Sequence, residues 1–365
     1  MGSEFSLRAL ERKSNIMSIL ACIRNKEMID RPIILFGAGS WGREYLNSIR
    51  DYFKTILFCD NDTSKWGTFV DGIQIINFDQ LKNVYMDSYI TVTSLSYYDQ
   101  ISLQLFKHGM EDRMLPPLYG FTDPEFADYY NTVREHESEF AEAYKLLDDD
   151  YSRQVFYNRI NALITGNNKY LFPLRSKSPQ YFEKGIIALS NKEILVDGGA
   201  YIGDTVEEFL KQTTGEFEKI YSFEPEQTKH SAFLQEFSNP NIELFPYGLW
   251  KENDVLKFEA LDSGSSGVNV AGSMEIKVVS LDNILKGAPV TFIKMDIEGS
   301  ELEALIGAKE TIKKYKPKLA ICIYHKPLDI VQIPLFLKEL VPDYKIYMRH
   351  YNINIFETVC YAVVD

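Results

Sequence analysis

Short apolar runs recur along the chain, each closed by a glycine or a carboxylate and followed by a stretch whose apolar positions lie three and four apart. Strand, tight turn and helix, repeated, is the pattern of an open α/β sheet. The runs at 33–36, 55–59 and 89–92 predict strands of a first sheet, with helices carrying Tyr45, Leu46 and Ile49 and spanning 100–106. Ahead of them, Leu10, Ile16, Leu20 and Ile23 stand at helical spacing until Pro32 stops the helix. Between 123 and 189 the chain is charged and aromatic, and predicts helices over 125–147 and 151–164 with Gly166-Asn167-Asn168 as a stop and Asp148-Asp149-Asp150 as a cap and solvated turn. Strands follow at 194–196, 220–223, 242–245, 255–260, 274–279, 291–295 and 318–323, and two more, 344–351 and 356–363, read as a closing hairpin. The expected architecture is therefore α/β, with a smaller N-terminal Rossmann-like domain (6–122), a helical connector (123–189) and a larger Rossmann-like sheet domain (190–365).

The second glycine turn is the more informative. After Ile194-Leu195-Val196 comes Asp197-Gly198-Gly199-Ala200-Tyr201-Ile202-Gly203-Asp204-Thr205, spaced Asp-x-Gly-x-x-x-Gly. A carboxylate at the strand tip repels a pyrophosphate but welcomes an ammonium group, and the helix opened by Asp204-Thr205 suits a carboxylate. S-adenosylmethionine carries both, and a ribose besides. Glu224-Pro225 closes the next strand, where an acid is placed for the two ribose hydroxyls. Gly248, at the third strand end, lies where an adenine ring would run along backbone. Asp197, Glu224, Asp296 and His325 thus end four strands, converging on one edge of a parallel sheet.

The first turn, Gly37-Ala38-Gly39-Ser40-Trp41-Gly42, is a full Gly-x-Gly-x-x-Gly, and Asp60 follows at the distance of a ribose-binding acid. It fits a nicotinamide dinucleotide or a nucleotide sugar, or equally a tightly packed βα turn that binds nothing. No Tyr-x-x-x-Lys stands near it to serve a hydride transfer.

A net charge of −13 without clustered Lys and Arg excludes a nucleic-acid face, and no apolar run is long enough for a membrane span or signal core, which places the chain in the cytoplasm. Cys22, Cys59, Cys322 and Cys360 are scattered and read as core thiols. Gly2-Ser3-Glu4-Phe5 has the look of a cloning remnant. The loop Ser263-Gly264-Ser265-Ser266-Gly267 suits a mobile edge of a substrate entrance, or a plain hairpin tip, and Tyr181-Phe182 a lid or a core contact.

Residues 190 to 363 resemble the FkbM family of class I S-adenosylmethionine-dependent methyltransferases. The resemblance rests on Val-Asp-Gly-Gly-Ala-Tyr-Ile-Gly-Asp-Thr, on Ser-Phe-Glu-Pro, and above all on Ile-Lys-Met-Asp-Ile-Glu-Gly-Ser-Glu with Leu-Ile-Gly-Ala behind it. It implies a seven-stranded methyltransferase sheet and O-methylation of a sugar, glycan precursor or related small metabolite, carried by a nucleotide or free. Asp197, Gly198, Gly199, Ala200, Tyr201, Gly203, Asp204, Thr205, Glu224, Pro225, Gly248 and Asp296 would line the cofactor, and Asp296 and Glu298 would face the reacting centre. His325 is the neutral-pH candidate for the base, with either carboxylate as its alternative. No metal is expected: Asp296 and Glu298 share a face only if the strand runs through them. Other readings are a nicotinamide-dependent oxidoreductase and a nucleotide-sugar-binding protein using the first loop. A homo-oligomer is compatible with all three.

Overall fold

The computed structural model describes residues 4–115, except 13–18, 20 and 24, and residues 128–364, except 260–266 and 269–273. The expectations for Ile16, Leu20, the start of the 125–147 helix and the loop at 263–266 lie outside the described residues.

In the N-terminal domain β1 (Ile33–Phe36), β2 (Ile56–Cys59), β3 (Phe69–Val70), β4 (Ile73–Ile76), β5 (Tyr89–Val92) and β6 (Met114–Leu115) form a sheet in the order β3-β4-β2-β1-β5-β6. Every pair is parallel except β3 with β4. The unbroken apolar runs follow from this, since both faces of β1 and β5 are buried.

The larger sheet holds β7 (Ile194–Gly198), β8 (Lys219–Phe223), β9 (Ile242–Phe245), β14 (Phe292–Met295), β15 (Lys318–Cys322), β16 (Lys345–His350) and β17 (Thr358–Val363), ordered β16-β17-β15-β14-β7-β8-β9. Only β17 runs antiparallel to its neighbours. The chain leaves β7 toward β9 and returns on its other side at β14, so the order reverses between β7 and β14, and a crevice opens at their C-terminal ends. The remaining strands, β10 (Gly248–Leu249), β11 (Asp254–Glu259), β12 (Gly267–Val268) and β13 (Met274–Val279), leave that sheet for a small one of their own, ordered β10-β13-β11-β12.

The segment expected as a connector is part of the core. Its helices Tyr129–Glu135, Glu137–Lys145 and Asp150–Thr165 bury Tyr129, Phe140, Tyr144 and Phe156 in one cluster with Val196, Ile293 and Ile321 of the sheet. Phe5, set aside as a remnant, packs its ring against Phe140 and Tyr157. Gly166 ends the long helix in the left-handed conformation. The Asp148-Asp149-Asp150 turn does more than cap that helix: Asp149 accepts from the Ser152 N–H and pairs with Arg349, and Asp148 accepts from the Ile346 N–H. Arg159, fully buried, reaches from the same helix to the carbonyls of Ile355 and Tyr324 and to Thr358 Oγ1, which ties the β16–β17 turn to the loop after β15. Cys59, Cys322 and Cys360 are buried free thiols and Cys22 is half-buried. No helix among the described residues is long and apolar enough to cross a membrane.

His350 is fully buried at the end of β16, with Nδ1 2.9 Å from Thr358 Oγ1. Burial, followed by the charge of Arg159, pushes its pKa down to about 3. Below the ordinary value near 6.5 the unfolded chain takes up a proton that the folded one refuses, so this group lowers stability as pH falls from about 6.5 toward 3, by roughly 1.4 kcal/mol per pH unit at most. Glu357 and Asp329, both raised to about 7, act in the opposite sense between about pH 4 and 7 and are common to wild type and variant. The expected result is that His350→Gln gains stability relative to wild type as pH falls from 6.5 to 4, by up to roughly 1.4 kcal/mol per pH unit in urea unfolding. Parallel pH profiles for the two proteins would show that the buried imidazole is already charged.

Candidate active site

The sheet positions the site through four loops at its C-terminal edge. After β7, Gly199 and Gly203 take positive φ values of 76° and 99°. A Cβ on Gly199 would stand 1.9 Å from the Asp296 carbonyl oxygen, and one on Gly203 would stand 2.1 Å from Phe237 Cε2. Both glycines are therefore required by the protein's own packing, which brings the loops after β7 and β14 into contact. The Gly199 and Ala200 N–H groups both donate to the Phe223 carbonyl, leaving Tyr201 and Ile202 exposed at the turn. The helix Asp204–Gln212 starts there without a side-chain cap.

Asp197 does not face the crevice as an open carboxylate. It is fully buried, and the ammonium it was expected to attract comes from Lys294 on the neighbouring strand, whose Nζ lies 3.0 Å from its Oδ1. Lys294 also donates to the Gly198 and Gly199 carbonyls at 3.1 and 2.8 Å and sits over the Tyr181 ring. Burial pushes Asp197 up despite the lysine. Burial alone would push Lys294 down, but Asp197 and then Asp296 hold it above its ordinary value.

Glu224, at the tip of β8, accepts the Tyr201 N–H on Oε2 at 2.9 Å and the Glu226 N–H on Oε1 at 2.8 Å. Burial raises its pKa against those bonds. Each oxygen keeps a lone pair, so a vicinal diol supplying two O–H donors fits this carboxylate. Pro225 follows it, close to Gly248 at the start of β10.

β14 ends at Met295, so Asp296 and Glu298 are loop residues and the alternating-face argument for pairing them does not apply. Asp296 accepts from Tyr181 O–H on Oδ2 at 2.7 Å and from Tyr324 O–H on Oδ1 at 3.0 Å. Burial raises its pKa, but Lys294, His325 and the two hydroxyls outweigh it and hold the carboxyl below its ordinary value. His325 lies among three carboxylates: Nδ1 is 2.9 Å from Glu301 Oε1, and Nε2 is 3.3 Å from Glu298 Oε2 and 3.5 Å from Asp296 Oδ1. Burial lowers its pKa, yet these acids, Glu301 first, raise it well above 6.5. That shift makes the ring hold its proton more tightly than an ordinary imidazole and works against a role as general base.

A cavity of about 340 Å³ opens beside Asp296, lined also by Gln180, Tyr181, Asp204, Thr205 and Glu357. Tyr181 is at once core contact and wall. Glu357 adopts a left-handed backbone at φ 63° and accepts from Gln180 Nε2. Burial and the charge of Asp296 lift its pKa to about 7. Lys294, Glu301 and Glu357 are the site residues that the sequence reading left unassigned. A lone lysine inside an apolar strand was a usable signal for the first, because a buried ammonium requires a partner.

In the N-terminal domain, Asp60 closes the first glycine loop. Its Oδ2 accepts the Ala38 N–H at 3.0 Å and the Lys65 ammonium at 2.8 Å, and its Oδ1 accepts the Asp62 N–H. A Cβ on Gly37 would meet the Thr93 carbonyl oxygen and one on Gly42 the Gly37 carbonyl oxygen, whereas Gly39 has open space around it. Two of the three glycines are thus explained by packing.

Residues 197–351 match the family model described as the methyltransferase FkbM domain, and residues 28–115 match that of the C2185-like N-terminal domain. Among solved structures, the chain is similar to methyltransferase FkbM from Methylobacillus flagellatus KT, with 25% identity, 97% of this chain and 94% of that one covered, and a TM-score of 0.71. UDP-D-quinovosamine 4-dehydrogenase from Vibrio fischeri aligns at 24% identity over 24% of this chain and 78% of its own, with a TM-score of 0.21. No curated protein matches the sequence.

Proposed function

With the chain a methyltransferase of the FkbM family that uses S-adenosylmethionine, we propose that it methylates a hydroxyl of a sugar, a glycan precursor or a related small metabolite. The observation that carries this reading is the polar cavity beside Asp296, walled by carboxylate, amide and phenol groups and of the size that holds a small ligand. Such walls suit an acceptor rich in hydroxyls.

S-adenosylmethionine supplies an electrophilic methyl group on a sulfonium. The work of the chain is to bind, align and deprotonate, and alignment supplies up to ~7 to 11 kcal/mol of such a barrier. In this reading Glu224 takes the ribose hydroxyls, the loop from Gly198 to Gly203 with Asp204 and Thr205 holds the methionine end, and Pro225 and Gly248 border the adenine. Asp197 supports that loop from behind through Lys294. The proton of the acceptor hydroxyl goes to a carboxylate of the cavity, Asp296 or Glu357. Glu357 is the better matched to neutral pH, because its pKa lies at about 7. Glu298 and His325 do not line the cavity, and their proposed part is to set the charge around Asp296.

The test is transfer from isotopically methyl-labelled S-adenosylmethionine to panels of free sugars, nucleotide sugars and amines, with the product bond assigned by mass spectrometry and NMR. A methyl ether is the expected product, and label found only on nitrogen would overturn the reading. Calorimetry with S-adenosylhomocysteine, NAD and UDP-sugars separates use of the second loop from use of the first. Glu224→Ala is expected to weaken S-adenosylhomocysteine by ~1.5 to 3 kcal/mol, the range of hydrogen bonds to a charged group. Unchanged affinity in the folded variant would remove Glu224 from the ribose site.

A further inference from the structure

Asp296, Glu301 and His325 each bring an oxygen or nitrogen to within 4.8 Å of the others, and we propose that they form a binding site for a divalent transition-metal ion. They arrive from three places in the fold: the loop after β14, the first turn of the helix Glu301–Ile306, and the loop after β15. Glu298 stands close enough to join them, with Oε2 3.3 Å from His325 Nε2.

Carboxylate charge is in excess here. Three acids surround one imidazole, and two of the four groups, Glu301 and His325, are at least nine-tenths buried. Glu301 has no solvent exposure, and although its Oε1 accepts the Ile297 N–H at 2.9 Å, its Oε2 has no hydrogen-bond partner. Neither ring nitrogen of His325 has a well-directed hydrogen bond despite the short distances to the acids. A buried acceptor without a donor costs about 1 to 3 kcal/mol, more when it is charged, and a cation relieves that cost. The groups behind the cluster are those that orient metal ligands: Tyr181 and Tyr324 donate to the two oxygens of Asp296, and the Ile297 N–H fixes Glu301.

One imidazole with carboxylate oxygens suits Mn²⁺, Fe²⁺ or Zn²⁺ better than Ca²⁺ or Mg²⁺, which take oxygen ligands. Because Asp296 also walls the cavity, an ion held here stands next to the acceptor and favours the ionised form of its hydroxyl. That use rests on the methyl-transfer reading, whereas ion binding does not.

The full chain is treated with EDTA, desalted and dialysed against Mn²⁺ at pH 7.5. Bound manganese is counted by plasma mass spectrometry, and its electron spin echo is examined for nitrogen modulation. The expected result is about one Mn²⁺ per chain with the modulation of a coordinated imidazole, and binding weakened in Glu301→Gln and His325→Gln by more than the ~10- to 100-fold that loss of an outer-shell partner costs. Wild-type protein that retains no Mn²⁺, or holds it without nitrogen modulation, overturns the site. This outcome is decided on wild-type protein and survives any failure of a variant to fold. S-adenosylhomocysteine calorimetry on the same batches keeps the two readings apart: cofactor binding without manganese refutes only the ion site, and manganese without cofactor binding refutes only the methyltransferase site.

Discussion

Lys294→Met is expected to lower the stability of the fold by about 3 to 5 kcal/mol at pH 7, the cost of breaking a buried ion pair from one side. The ammonium is 3% exposed and Asp197 not at all, so neither charge has water to fall back on. Methionine matches the length and apolar character of the lysine stem, which confines the loss to the charge and to the bonds to Gly198 and Gly199. The stranded carboxylate then has its pKa driven further up, and the deficit relative to wild type shrinks as pH falls and Asp197 takes a proton. Asp197→Asn in the same chain removes the stranded charge, so Lys294→Met with Asp197→Asn should be more stable than Lys294→Met alone. Urea unfolding of the three proteins at pH 7 and pH 5 measures all of this. A loss below about 1 kcal/mol for Lys294→Met would mean that the pair is not held in a dry interior.

This pair also shows where sequence stopped informing structure. Strands and their order of use were legible because burial of both faces leaves a local mark, an apolar run closed by a carboxylate or glycine, and Asp197, Glu224 and Asp296 stand at strand ends for that reason. The chemistry around them was not, because it depends on register. Lys294 lies opposite Asp197 only through the parallel pairing of β14 with β7. Tyr181 and Glu357 reach Asp296 and the cavity from sites about 115 and 61 residues away in sequence, with no periodicity that points there. The same holds for His325: a single histidine after a strand looked like a free base, and only the fold surrounds it with Glu298, Glu301 and Asp296. The packing of residues 129–165 against the sheet was hidden for a related reason. Their charged positions face outward, while Arg159 and the aromatic side chains turn toward the sheet and complete its core.

The two glycine loops respond differently to a methyl group. Gly199→Ala is expected to destabilise the protein by about 2 to 5 kcal/mol, summing ~1 to 2 for a left-handed L-residue and ~1 to 3 for forced overpacking. Its φ of 76° is retained only with strain, and the added carbon would fall 1.9 Å from the Asp296 backbone oxygen, an atom that cannot swing away as a side chain does. Relief requires the loop after β14 to retreat. That movement carries Asp296 off Tyr181 and Tyr324, so the folded fraction of Gly199→Ala should also bind S-adenosylhomocysteine less tightly. Gly39→Ala is the counterpart in the first loop. Its φ is −95°, nothing lies within 4 Å of the added carbon, and the expected cost is within about 1 kcal/mol with cofactor affinity unchanged. Denaturant midpoints and calorimetry on the two variants give the comparison directly. If Gly199→Ala proves as mild as Gly39→Ala in both readouts, the contact between the β7 and β14 loops is slack, and the close approach of Asp296 to the cofactor loop loses its structural basis.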